Sequence, residues 1–243
     1  MQSNCKITIC MADDKLKING IIETQDSNLS LGLVIWKKIK EEGGLMMSKT
    51  HLMVGVGSAL ITTLPVEPKL CCIATIGGLL GGIVPDNDIL DNDYTGDAIL
   101  GQVLAGSITA GILFLDKIFK IGICNELFSR SLINLIFGLV LFMGLYIFGF
   151  FQEHRKFTHS FLAMVLYSFA VLCIYPPLAK PFLIGYLSHI IIDLFNKKKV
   201  QIFYPFKAGI CFGVCYSNKL GNKMLMYCGL VVSCILLLYG LLS

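Results

Sequence analysis

Charge is scarce in this chain. Asp, Glu, Lys and Arg make up 15% of its 243 residues, where a soluble domain carries about 25%. With 55% hydrophobic residues and a mean hydropathy of +0.74, that shortage argues against an ordinary water-soluble domain. Tryptophan occurs once and histidine four times. Ten cysteines are present, but none forms a CxxC pair: Cys71 and Cys72 are adjacent, and Cys211 and Cys215 are spaced for one helical face or a loop. Most of the others lie in apolar runs, where Cys serves as a small hydrophobe, so a zinc knuckle or disulfide framework is not expected. The net charge of +4 is modest and leaves no nucleic-acid footprint. The N-terminus lacks the layout of a signal peptide.

What is present instead is a series of long apolar runs, at Ala98–Leu115, Ser131–Phe151, Phe157–Tyr175 and Met224–Leu242. Each approaches the roughly 20 residues needed to cross a hydrocarbon core. Three shorter apolar segments are Leu52–Leu64, Leu70–Val84 and Phe182–Phe195. The expected fold is all-α: a polytopic helical membrane protein of about six or seven apolar segments, the short ones bearing a site sheltered among the long ones.

Residues 1–46 differ from the rest, being polar and mixed in charge. Ile21 to Lys40 predicts one weak amphipathic helix with no core to accompany it. Glu41-Glu42-Gly43-Gly44 can be encoded by a purine-rich ribosome-binding sequence just upstream of Met46 and Met47. Translation is therefore expected to start there, with residues 1–46 a mis-assigned extension and 47–243 the membrane-embedded domain. The alternative is a genuine but dispensable tail. Intact mass of the natively expressed protein decides, since a mass that includes Met1 excludes the later start.

Three polar islands beside apolar segments hold the four histidines, one of them with an aspartate, and a further island holds two more aspartates: Thr50-His51, His154-Arg155-Lys156-Phe157-Thr158-His159-Ser160, Ser188-His189-Ile190-Ile191-Ile192-Asp193 and Pro85-Asp86-Asn87-Asp88. Ionisable groups at membrane depth are costly and point to function. If every apolar segment crosses, all four islands meet at one face. Lys49, Arg155, Lys156, Lys197, Lys198, Lys199, Lys207, Lys219 and Lys223 gather there, against Lys69, Lys117, Lys120, Arg130 and Lys180 opposite. The positive-inside rule places that face in the cytoplasm.

His189 and Asp193, four apart on a helix, project from one face. They can share a metal, or Asp193 can orient the imidazole. The bland reading is a hydrogen bond tying two helices together. Asp86 and Asp88 can bridge metals or divide the roles of ligand and base, or they can be a solvated loop ended at the surface by Pro85. Asp91 to Asp97 imitates the start of a calcium loop, but its twelfth position is Gln102 rather than Glu, which makes it a polar connector. Arg155, between His154 and His159 near a helix start at Ser160, suits a phosphate or carboxylate, or serves only as a topological anchor. His51 alone would be interfacial. The candidate metal ligands are therefore His51, Asp86, His154, His159, His189 and Asp193, and the candidate catalytic residues Asp86, Asp88 and Arg155.

These islands, with Gly185-Tyr186-Leu187 ahead of Ser188 and Val200-Gln201-Ile202-Phe203-Tyr204-Pro205-Phe206 after, resemble the YdjM-like family of bacterial inner-membrane proteins. Its members are described as LexA-regulated metal-dependent hydrolases. The likeness spans roughly Met47 to Phe206, as four ordered motifs. More distantly, that family is similar to zinc-dependent phospholipase C and P1-type nucleases. The similarity implies His51, Asp86, one or both of His154 and His159, His189 and Asp193 as ligands. No His follows His189, so the full cluster of those enzymes is not expected, and one or two divalent ions are, zinc first and manganese second.

The resulting expectation is a multi-pass protein of the bacterial cytoplasmic membrane that hydrolyses a phosphoester in a lipid or lipid-linked substrate. The rivals are a metal- or proton-coupled carrier and a regulatory scaffold with a structural His/Asp cluster. No convincing repeat relates the two halves, which disfavours the carrier. Substrate and oligomeric state are not legible.

Overall fold

The computed structural model of the chain describes residues 48–89, 95–196, 198–213 and 220–242. The predicted helix at Ile21 to Lys40 and most of the calcium-loop imitation lie outside these residues. The elements are α1 (Ser48–Thr63), α2 (Pro68–Ile83), a 3-10 turn (Val84–Asp88), α3 (Thr95–Phe119), α4 (Ile123–Phe128), α5 (Leu132–Phe150), α6 (Phe161–Ile174), α7 (Pro176–Phe195) and α8 (Leu220–Leu242). No strand occurs among the described residues. One isolated antiparallel bridge joins Val200 and Ile210.

Among the described residues, five spans are long and apolar enough to cross a membrane: Pro68–Asp88, Gly96–Phe119, Leu132–Phe150, Pro176–Phe195 and Gly221–Gly240. Segment lengths depart from expectation in both directions. The run from Phe157 yields only the 14-residue α6, because Ser160 caps it: its hydroxyl accepts from Ala163 N at 3.1 Å and donates to Phe157 O at 2.6 Å. The segment expected to start at Phe182 is instead the 20-residue α7. Pro176 and Pro177 occupy its first turn, where no amide donor is missed and φ is preset for a helix.

Pro85 does not end α2 at the surface. The chain continues as the 3-10 turn, and Pro85, Asp86, Asn87 and Asp88 are all buried. A proline tolerated at the first turn of the new helix carries the acidic island inward rather than into water.

Helices α1, α2 and α7 form the centre, with α8 on α1, α6 on α7, α5 on α6 and α3 on α2. The central contact depends on glycine. A Cβ on Gly81 would lie 2.7 Å from Tyr186 N, one on Gly78 would lie 2.7 Å from Gly55 O, and one on Gly185 would lie 2.8 Å from Gly78 O. Small residues let backbones meet where lipid supplies no hydrophobic drive between helices. The outer helices turn apolar side chains outward, as at Ile133, Val140, Phe114 and Leu238, which suits lipid contact.

The chain alternates direction. Asp97, opening α3, accepts from Ser48 N at 2.7 Å, and Thr50 donates to Asn222 Oδ1 of α8 at 2.6 Å, so these helix starts share one end. Asn87 donates to Tyr146 O of α5 at 2.8 Å at that same end. At the opposite end, Glu126 receives Lys69 at 2.7 Å, Arg130 at 3.4 Å and Tyr175 OH at 2.9 Å, joining α2, α4 and the α6–α7 corner. The Lys69 and Tyr175 hydrogen bonds hold the Glu126 carboxyl below its ordinary value. A carboxyl depressed on folding stabilises above its unfolded pKa and loses that contribution as pH falls through its folded value. Glu126→Gln is expected to cost under about 1 kcal/mol at neutral pH, because the group is about one-third exposed, and almost nothing in acid. Melting curves at the two pH values measure the difference.

Candidate metal centre

All four histidines and three aspartates converge at the end where α1 begins and α2 and α7 finish. His51 comes from α1, Asp86 and Asp88 from the 3-10 turn, and His154, Arg155 and His159 from the α5–α6 connection. His189 and Asp193 come from α7. His159 and His189 are wholly buried, and His51, Asp88 and Asp193 nearly so. His154 is the member that reaches solvent, with its side chain 23% exposed.

His189 Nδ1 lies 2.8 Å from Gly82 O. A carbonyl only accepts, so Nδ1 carries the proton and Nε2 presents a lone pair. That lone pair lies 3.1 Å from His159 Nε2. The other side of the His159 ring faces Thr158 Oγ1 at 3.0 Å and Asp88 Oδ2 at 3.5 Å. Asp86 Oδ1 is 3.4 Å from His189 Nε2 and 3.9 Å from His159 Nε2. Ligands about 2.0–2.1 Å from one tetrahedral zinc lie roughly 3.3 Å apart. The triangle of His159, His189 and Asp86 has edges of that size. Asp193 Oδ2 approaches the same two nitrogens, at 3.1 and 3.9 Å.

Two further groupings overlap this triangle. His51, His189 and Asp193 bring one donor atom each within 4.8 Å of one another, as do Asp88, His154 and His159. His51 stacks on His189 with centroids 3.9 Å apart, and its Nε2 is 3.6 Å from Asp193 Oδ1. His51 Nδ1 is buried without a hydrogen-bond partner among the described residues. His154 Nδ1 binds Asp88 Oδ1 at 2.7 Å.

Charge supports a cation here. Three buried carboxylates face one buried guanidinium, and uncompensated charge is costly in such a place. Burial disfavours a charged His159, yet the Asp88 and Asp193 carboxylates outweigh it and push its pKa up to about 10. The donor set of imidazoles and carboxylates fits a divalent ion.

Arg155 departs from the role of free anion clamp. Its Nη2 donates to Asp193 Oδ1 at 3.3 Å and its Nη1 to Lys198 O at 2.9 Å, while Nε faces His154 Nε2 at 3.4 Å. Its φ is 68°, in the left-handed region that costs a side-chain-bearing residue. Such strain is retained where the surroundings fix it, and here Asp88 Oδ2 also accepts from Arg155 N at 3.2 Å.

Sequence reasoning passed over three supports. Thr158 Oγ1 donates to Asp88 Oδ2 in a short hydrogen bond, Asn196 Nδ2 donates to Asp193 Oδ1 at 2.8 Å, and Gly82 supplies the carbonyl for His189. Asn196 stands three residues after Asp193, a spacing that could have drawn attention to it. A backbone carbonyl leaves no mark in a sequence.

Fold and site together define a multi-pass helical membrane protein with a buried His/Asp centre able to hold a divalent metal. The chain belongs to the YdjM inner membrane protein family, whose model matches residues 46–243. It is accordingly a multi-pass protein of the bacterial inner membrane. No curated protein and no solved structure matches it.

Proposed function

We propose that the protein is a membrane-bound metal-dependent hydrolase acting on a phosphoester in a lipid or lipid-linked substrate, with its centre on the cytoplasmic side. The observation that carries the reading is the facing pair of buried imidazole nitrogens, 3.1 Å apart, beside Asp86 and Asp193. His159, His189 and Asp86 would hold one ion, with Asp193 alongside. The outer groupings around His51 and around Asp88 with His154 leave room for a second. Zinc is favoured by the nitrogen donors, and manganese is the alternative.

A bound ion supplies Lewis acidity and acidifies a water to a pKa of about 7. Asp86 or Asp88 would orient or deprotonate the attacking water. A hydrogen bond with His154 fixes one Asp88 oxygen. Thr158 fixes the second Asp88 oxygen. Arg155 orients Asp193 and His154, and it lines the cleft through which a substrate anion would arrive.

The test is turnover of phosphomonoester and phosphodiester substrates by the purified full chain, stripped and then reloaded with zinc or manganese. Activity should return with the ion. Asp88→Asn should keep the ion of the central triangle and lose on the order of a hundredfold in kcat. A metal-loaded protein that cleaves no phosphoester would sink the hydrolase reading.

A further inference from the structure

Beside the centre, and sharing His154 and Arg155 with it, lies a cleft of about 180 Å³ that Lys156, Lys199 and Lys207 also line. Lys156 pairs with Glu153 at 2.7 Å, whereas Lys199 and Lys207 hold no ion pair among the described residues. Both are carried by the segment that follows α7, which is held beside the centre by backbone bonds. Gln201 N donates to Arg155 O at 3.0 Å, Phe161 N to Ile202 O at 3.0 Å, and Val200 and Ile210 exchange two bonds of 2.9 Å. Gly209 packs close to the Lys199 stem, where a Cβ would lie 3.0 Å from the lysine Cβ. The positive charge is thus mounted on an anchored loop.

The same loop turns aromatic rings outward. Phe203 is 53% exposed and Phe206 72%. Tyr204, between them, packs on Phe157, which packs on Phe148 of α5, so the loop is fastened to the end of a membrane-spanning helix. Exposed rings beside lysines at the end of a membrane span suit the interface, with rings among acyl chains and ammonium groups at headgroup level. A cleft of this size is well below the roughly 300–1,000 Å³ of sites that swallow a whole small molecule. It admits a compact anionic group and leaves the remainder outside.

We propose that this cleft takes the terminal phosphate or diphosphate of a membrane lipid whose chains stay in the leaflet beside Phe203 and Phe206. Lys199 and Lys207 contact the anion, and His154 stands between it and the buried centre. The inference rests on the hydrolase reading and narrows its substrate class to lipids with a small, doubly charged end group.

The test uses the full chain in phosphatidylcholine nanodiscs doped with either phosphatidic acid or phosphatidylglycerol, with retained lipid read by native mass spectrometry. Wild type should retain phosphatidic acid roughly tenfold over phosphatidylglycerol, and Lys199→Gln/Lys207→Gln should lose that preference. Phe203→Ser/Phe206→Ser should lose the lipid while still binding inorganic phosphate. Equal retention of the two lipids by wild type overturns the proposal. So does displacement of phosphatidic acid by an equal concentration of inorganic phosphate, which would reassign the cleft to a water-soluble ester. Metal content is measured on the same samples. If lipid preference fails and metal persists, only this inference falls, whereas absent metal with intact lipid preference removes the hydrolase reading instead.

Discussion

Asp193→Ala and His189→Ala proteins, purified from the membrane, will carry no divalent metal, while wild type carries one or two equivalents. His189 is held by Gly82 O so that its free nitrogen faces His159, and Asp193 approaches both imidazoles. Removing His189 deletes one of the central donors. Removing Asp193 also strands Arg155, Asn196 and His51, all of which reach its Oδ1 atom. A buried guanidinium left without its carboxylate costs about 3–5 kcal/mol, so Asp193→Ala will also be the less stable protein. Asp193→Asn separates the two effects, since the amide keeps an oxygen for the Arg155 and Asn196 donors but no charge for the ion. Elemental mass spectrometry of the three variants, each checked for membrane insertion, decides. Metal retained at the wild-type level in both Ala variants removes the centre from these residues.

The second large effect concerns packing. Gly81→Ala should lower the melting temperature by about 10 °C, from an overpacking cost near 3 kcal/mol in a chain of this size. The added methyl would meet the backbone of α7 at Phe182 and Tyr186, and backbone cannot step aside as a flexible side chain would. Helix α7 carries His189 and Asp193 one and two turns further on, so a displaced α7 also disturbs the centre. Gly144→Ala is the control: on α5 its Cβ would meet nothing within 4 Å, and the alanine should be neutral or slightly stabilising. Similar melting of the two variants would show that the α2–α7 approach is looser than it stands here.

Much of this was readable from the sequence because hydrophobic length and polar interruption are one-dimensional signals. The all-α membrane fold follows from the apolar runs, and alternating crossings bring His51, Asp86, His159, His189 and Asp193 to one end. Helix limits were less legible. A serine cap shortened α6, and a proline pair lengthened α7. Pro85 looked like a terminator because its effect depends on whether a new helical turn begins there. The hydrogen-bonded surroundings were mostly hidden. Which histidine sits in the centre and which at its rim follows from ring orientation, and the engagement of Arg155 by Asp193 and Lys198 follows from a loop that returns 43 residues later.

The centre draws on both ends of the chain, and this has a consequence for how the protein is made. Thr50, His51 and Asp86 emerge from the ribosome early, yet their partners Asn222, Asp193 and His189 emerge late. During synthesis the first two helices carry polar groups that neither lipid nor any completed neighbour can satisfy. They will therefore linger beside the insertion machinery until α7 arrives. A nascent chain arrested before His189 should be recognised as defective by membrane proteases, even though most of its spans are already in place.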